Sequence, residues 1–263
     1  MRSRVTLTTD FGTRDPYVAQ LKAELYARGP TELDVVDLSH EIAPQNVREA
    51  ALFVRAAWPR FPAGTIHLVV VDPGVGSSRR ALAVAHGEQL LLGPDNGVLT
   101  LLLAAGGGGQ TVAIDPLRLG LTQISATFHG RDVFAPAAAR LACGAKLHEL
   151  GPDALHLVQL ALPAPRLEAK RLCGEIIHVD RFGNLISNLP SAALHDPRLG
   201  HAPQLHLNDG TRLQLVHTYA QAPEATAVAL VGSSDLIEIA VRDANASALL
   251  RLGVGAAVWL SGG

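Results

Sequence analysis

The residues best placed to do chemistry lie together in TIHLVVVDPGVGSSRR, Thr65 to Arg80. The apolar run Ile66 to Val71 suits a strand buried on both faces. It stops at Asp72-Pro73, and Gly74 and Gly76 then free the backbone for a tight loop that a ligand can approach. Arg79 and Arg80 follow, ahead of a second apolar run, Ala81 to Ala85. A carboxylate, a glycine loop and a basic pair in one segment form an unusual local package that can bind polar groups. The same residues also read as a strand–loop–strand turn with solvated arginines. Two glycines without a third are weak evidence for a dinucleotide fingerprint.

Two earlier strand-like runs also end in aspartate, Val5–Thr9 before Asp10 and Leu33–Val36 before Asp37. In open α/β sheets ligands bind outside the carboxyl ends of the strands. Asp10, Asp37 and Asp72 on one rim therefore predict a binding edge. His129, in TFHGRD, taken alone reads first as a satisfied histidine at a helix start; in the company of Asp72 and Arg79 it is a candidate proton acceptor or relay.

The elements that must position these groups are legible from periodicity. Asp15-Pro16 predicts a helix start, with Asp15 as N-cap and Val18, Leu21 and Leu25 on one face. Asn46 with Glu49 resembles a capping box, opening a helix that carries Ala50, Phe53, Val54 and Ala57. Ala81–Ala85 and Gln89–Leu92 predict a hairpin around His86-Gly87. A short helix over Val98–Ala105 is expected to stop at a glycine run forming a surface loop, and Thr111–Ile114 is expected to be a strand. Asp132 is expected to cap a helix over Val133–Cys143. The alternation predicts a mostly parallel α/β sheet, and so an α/β domain over residues 1–160. The proline-bearing stretch 161–171 reads as a linker. Residues 172–263 contain short strand runs at regular spacing, predicting a small all-β, barrel-like domain.

Composition narrows the functional classes. The chain has 263 residues, 48% hydrophobic and 17% charged, with a formal net charge of −2, so a large core is available and disorder is excluded. No basic block points to nucleic acid or a membrane surface, and no apolar run approaches a bilayer span. Cys143 and Cys173 form no CxxC pattern, as expected of free thiols in the cytoplasm. The 11 histidines match neither HExxH nor HxH, so no metal site is expected.

Six motifs in order, TTDFGTRD (8–15), VVDPGVGSSRR (70–80), PDNG (94–97), FHGRD (128–132), DRFGN (180–184) and GSSDLIEIA (232–240), carry a resemblance. Over nearly its whole length the chain resembles the S-adenosyl-L-methionine (SAM) hydroxide adenosyltransferases, SAM hydrolases related to fluorinase and chlorinase. The resemblance implies attack of water at the ribose 5′ carbon of SAM, giving adenosine and L-methionine, with no cofactor. It implies Asp72, Arg79 and His129 as the catalytic set, Arg80 being an alternative to Arg79. It places Asp10 on the ribose hydroxyls, Asp15 and Asp180 on the methionine ammonium, Phe182 and Asn184 on the adenine, and Ser233 on the methionine carboxylate. It further implies a homotrimer whose active site lies at the subunit interface. The chain departs from the halogenating relatives at several positions. Ser234 replaces their arginine, Asp235 a usual glycine, and Gln45 an aromatic of some relatives. Gly130 stands at their serine, and Asp72 at their aromatic. A carboxylate at about 4 Å from a halide costs about 4 kcal/mol at an effective dielectric of about 20, which favours water over halide. A non-catalytic SAM- or adenosine-binding module is the alternative from another class. The catalytic trio argues against it, because binding alone needs only the ribose and adenine residues.

Overall fold

A computed structural model describes residues 3–104 and 109–262. The chain divides into two compact units, Met1–Ala161 and Leu162–Gly263.

The first unit contains β1 (Arg4–Thr9), α1 (Tyr17–Arg28), β2 (Asp34–Ser39), α2 (Val47–Ala57), β3 (Thr65–Val70), β4 (Ala81–His86), β5 (Gln89–Pro94), α3 (Thr100–Ala104), β6 (Thr111–Ala113) and α4 (Ala135–Ala142). Its sheet has the order β2-β1-β3-β5-β4-β6. Strands β2, β1, β3 and β5 run parallel, and β4 is antiparallel to both β5 and β6. Every residue of β3 is buried, as its apolar run predicts for a central strand. Alternate residues feed two cores. Ile66, Leu68 and Val70 meet Leu21 and Leu25 of α1 and the alanine face of α4. Val69 and Val71 meet Ala50, Ala51 and Val54 of α2, with Leu102 of α3 and Leu99 just before it. From β1 the chain passes outward to β2 and then returns across β1 to β3. The β1–β3 boundary is therefore the switch point of the sheet. Thr9 pairs with Val70, so the segments carrying Asp10 and Asp72 leave the sheet side by side.

Several local expectations need correction. Asp15 does not cap α1: Pro16 occupies the N-cap position, and no side chain caps the helix. Asp37 does not follow β2 but lies within it, opposite Leu7, bonded to Lys22 Nζ at 2.6 Å. Asp132 is not a cap either. It sits inside a π-helical turn, Gly130–Phe134, that precedes α4, and its carboxylate accepts Ser125 N–H and pairs with Arg131. The Asn46–Glu49 signature does open α2: Asn46 Oδ1 accepts Glu49 N–H, and Glu49 returns to Asn46 Nδ2 and Ala43 N–H. The expected glycine loop after α3 falls largely on residues 105–108, outside the described residues.

The second unit contains β7 (Arg166–Glu168), β8 (Arg171–Val179), β9 (Leu185–Pro190), β10 (Gln204–Leu207), β11 (Arg212–Leu213), β12 (Ala227–Val231), β13 (Leu236–Val241), α5 (Ala246–Leu250) and β14 (Ala257–Ser261). The order is β11-β10-β14-β8-β9-β13-β12, with β7 on β8, all antiparallel. A bridge from Leu215 to Ala229 links the two ends, leaving a nearly closed, barrel-like sheet. Ile176, Leu185, Leu205, Ile237, Ile239 and Leu260 fill it. Strand β7 lies within the stretch that reads as a linker, joined to β8 by a tight turn in which Ala169 and Lys170 both have positive φ. Among the described residues no helix is long and apolar enough to cross a membrane.

Candidate active site

Asp72 stands two residues beyond β3, on a loop held at both ends. Asn96 Nδ2 donates to Val71 O at 2.9 Å, and Ser77 N–H and Oγ–H both donate to Gly74 O. Gly76 has φ 77°, and a Cβ there would lie 2.4 Å from Ala126 O, so only glycine fits the turn. The loop returns Arg79 onto Asp72. Arg79 Nε donates to Asp72 Oδ1 at 3.0 Å and Nη2 to Oδ2, a two-pronged ion pair. The side chains are 10% and 6% exposed, so water screens the pair weakly. The guanidinium also lies over the Phe134 ring, 5.5 Å from its centroid.

His129 completes the set from the turn before α4. Arg79 Nη2 stands 2.9 Å from His129 Nδ1. A guanidinium offers no acceptor, so Nδ1 accepts and the imidazole proton resides on Nε2. Burial, and then the Arg79 charge, hold the His129 pKa below the usual histidine value, against opposing pulls from Asp72 and Asp132. Asp72 therefore reaches His129 only through Arg79, which lies between them. Arg80 turns the other way. It pairs with Asp95, donates to Leu155 O and His156 O, and Asp95 in turn accepts Val158 N–H. Arg80 thus ties the 155–158 segment to the unit, and Arg79 alone of the two reaches Asp72 and His129.

Asp10 emerges next to the Asp72 segment, and its Oδ2 accepts Gln45 N–H at 2.8 Å. Asp15 is exposed in the loop before α1. Gly130 is wedged: a Cβ there would meet Phe11, Phe128 and Val70 at 3.2–3.3 Å, leaving little room for a serine. Sequence reasoning missed the Phe11, Tyr17 and Phe128 cluster of edge-to-face rings beside this position. Phe128 is remote in sequence from Phe11 and Tyr17, and the three share no periodicity. They line a cavity of about 370 Å³ with Gln20, Thr127 and Arg131. A larger cavity of about 640 Å³, lined by Glu24, Arg28, Thr122 and Asp132 among others, contains none of the trio.

In the second unit, the β8–β9 loop collects three expected residues. Asp180 Oδ1 accepts the N–H groups of Phe182 and Asn184, and Oδ2 accepts Asn184 Nδ2, each at 2.9 Å. Gly183 (φ 86°) permits the turn where a Cβ would strike the Asn245 side chain at 2.1 Å. Asn184 is buried by this arrangement, and Phe182 is presented outward, 77% exposed. Ser233 is exposed in the β12–β13 turn, which is fixed by Asp235 (φ 64°) accepting Ser191 Oγ–H at 2.6 Å. In register that turn adjoins Pro190, whereas Asn184 precedes the opposite end of β9. Between them lies Glu238, buried, accepting Tyr219 O–H and with its pKa raised chiefly by burial. Its only sequence signal was a carboxylate inside an apolar strand.

Comparison with known proteins shows the family. Residues 5–151 match the SAM hydroxide adenosyltransferase N-terminal domain, and residues 174–259 the corresponding C-terminal domain. A protein of Thermus thermophilus named (R)-S-adenosyl-L-methionine hydrolase is 40% identical over 97% of this chain and 98% of its own length. One of the same name from Salinispora tropica is 40% identical over 94% of this chain and 93% of its own. A fluorinase of Actinoplanes is 28% identical, covering 83% of each chain. A crystal structure of an uncharacterized conserved protein from Thermotoga maritima superposes with a TM-score of 0.89 at 30% identity, over 98% of this chain and 100% of that one. Both domain matches span most of the sequence in the order found here, and this chain belongs to the SAM hydroxide adenosyltransferase family.

Proposed function

We propose that this chain is a SAM hydrolase acting on the (R)-sulfonium epimer named for its relatives, with water attacking the ribose 5′ carbon. The bond broken joins that carbon to sulfur, and the products are adenosine and L-methionine. The observation that carries the reading is the closed Asp72–Arg79–His129 chain beside Asp10, at the switch point of the sheet.

The sulfonium is already a good leaving group, so the protein has to position water and accept its proton. As attack proceeds the water oxygen becomes oxonium-like and strongly acidic, so even a weak base suffices. With Arg79 on Nδ1 and the ring proton on Nε2, His129 has no free acceptor, whereas each Asp72 oxygen keeps a lone pair beyond the one Arg79 takes; Asp72 is the proton acceptor, and Arg79 holds its carboxylate in place. His129, donating from Nε2, orients the water. Asp10 holds the ribose diol through its oxygen not bonded to Gln45. Asp15 and Asp180 take the methionine ammonium, Ser233 the carboxylate, and Phe182 and Asn184 the adenine. Halide transfer, the activity named for more distant relatives, is disfavoured by the Asp72 carboxylate and the crowded Gly130. We further propose a cytoplasmic homotrimer with each substrate site completed at a subunit junction, a location in keeping with two free cysteines.

The experiment is turnover of each SAM epimer in heavy-oxygen water. Label in the adenosine 5′ hydroxyl and none in methionine, faster from the (R) epimer, is the expected result. Unlabelled adenosine rules out water attack, and absence of adenosine leaves a binding module.

A further inference from the structure

The Asp10 carboxylate is held by a loop from elsewhere in the unit. Gln45, in a left-handed backbone conformation (φ 64°), donates its N–H to Asp10 Oδ2. A second set of bonds brackets Asp10 along the chain. Thr9 Oγ1 lies 2.8 Å from His40 Nδ1 and accepts Phe11 N–H at 3.3 Å. His40 O accepts Gly12 N–H at 2.7 Å. His40 itself is 6% exposed. Its Nε2 faces Asp37 Oδ1 at 3.1 Å, off the straight line of a hydrogen bond, and Lys22 anchors Asp37 in turn.

The polarity of this chain follows from the carboxylate. With Asp37 beside Nε2, the imidazole proton resides there, and Nδ1 accepts Thr9 O–H. A lone pair of Thr9 Oγ1 is then free for Phe11 N–H. Each contact points the same way, from Phe11 N–H to Asp37. The order Thr9–His40–Asp37 has the form of a hydrolytic relay, but Thr9 is fully buried and its hydroxyl cannot meet a substrate. The assembly can only hold the backbone on either side of Asp10.

We propose that His40 is a positioning residue for Asp10, aiming the free carboxylate oxygen at the ribose diol through Thr9, Phe11 and Gly12. This rests on the reading of Asp10 as the ribose ligand. A ribose-specific readout separates positioning from plain stability: the preference for adenosine over 2′-deoxyadenosine, measured by calorimetry on the intact protein. A charge-assisted bond to the 2′ hydroxyl makes that preference about tenfold or more. Asp10→Ala should abolish it. His40→Ala, and the near-isosteric Thr9→Val should the former fold poorly, should each reduce it severalfold, and neither should reduce it further when combined with Asp10→Ala. Variants that lose thermal stability but keep the full preference would overturn the positioning role while leaving the Asp10 reading intact. An unchanged preference in Asp10→Ala would overturn the ribose reading and this proposal with it.

Discussion

Arg79 Nη2 lies 2.9 Å from His129 Nδ1 while the same guanidinium grips Asp72, so one cation occupies both candidate bases. The contact fixes the histidine tautomer and lowers its proton affinity. The trio is thus a single electrostatic unit in which Arg79 is the hinge.

The adjacent arginines should separate cleanly. Arg79→Ala should lower kcat per folded molecule by two orders of magnitude or more, and should also lower Tm because Asp72 is left buried without its partner. Arg80→Ala should leave kcat per folded molecule within about threefold but destabilise the fold by about 2 kcal/mol, because Asp95 and two carbonyls lose their donor. Paired kinetics and thermal melts check both; a catalytic collapse in Arg80→Ala would reverse the assignment.

His129 should titrate below the ordinary histidine value. Removing the Arg79 charge with Arg79→Gln should raise its pKa, and Asp72→Asn should lower it further, since Asp72 pulls upward. Imidazole NMR titration reads these directions directly. The acid limb of kcat/KM should accordingly lie below about pH 6.5. A downward shift in Arg79→Gln would contradict the proposed wiring.

The two loop glycines should differ sharply. A Cβ at Gly74 would meet Arg79 Cγ at an ordinary 3.4 Å, whereas one at Gly76 would meet Ala126 O at 2.4 Å with φ at 77°. Gly74→Ala should therefore be tolerated, and Gly76→Ala should cost about 2 kcal/mol or more together with most activity. Urea melts alongside turnover assays decide the matter.

Acid should weaken the first unit through His67, whose pKa is lowered to about 4 by burial between Thr6 and Gln89. The unfolded state binds the extra proton between about pH 4 and 6.5, so stability is full above that window and falls as pH drops through it. From pH 7 to pH 5 the loss is about 2 kcal/mol. Equilibrium unfolding of wild type and His67→Gln at both pH values provides the check, with a smaller loss expected in the variant.

Assembly is tested by mass. Light scattering should give about three times the 27.6 kDa chain, and activity should fall on dilution to monomer. A fully active monomer would exclude the trimer.

The sequence by itself determined most of the elements and several of the local turns. The buried run of β3, the Gly76 turn and the Asp180–Asn184 loop are local features. Apolar periodicity and turn chemistry are written in adjacent residues, so they can be read without a fold. Direction and partnership were decided only in three dimensions. Adjacent Arg79 and Arg80 leave the chain on different sides, and their partners, His129 and the 155–158 segment, are remote in sequence. Asp37 looked equivalent to Asp10 and Asp72, yet strand pairing carried β2 beyond it and gave it to Lys22 and His40. Asp132 looked like a cap, but the π turn placed its carboxylate on Ser125 and Arg131. A polar side chain takes whichever partner the tertiary packing brings within about 3 Å, and no local pattern encodes that distance.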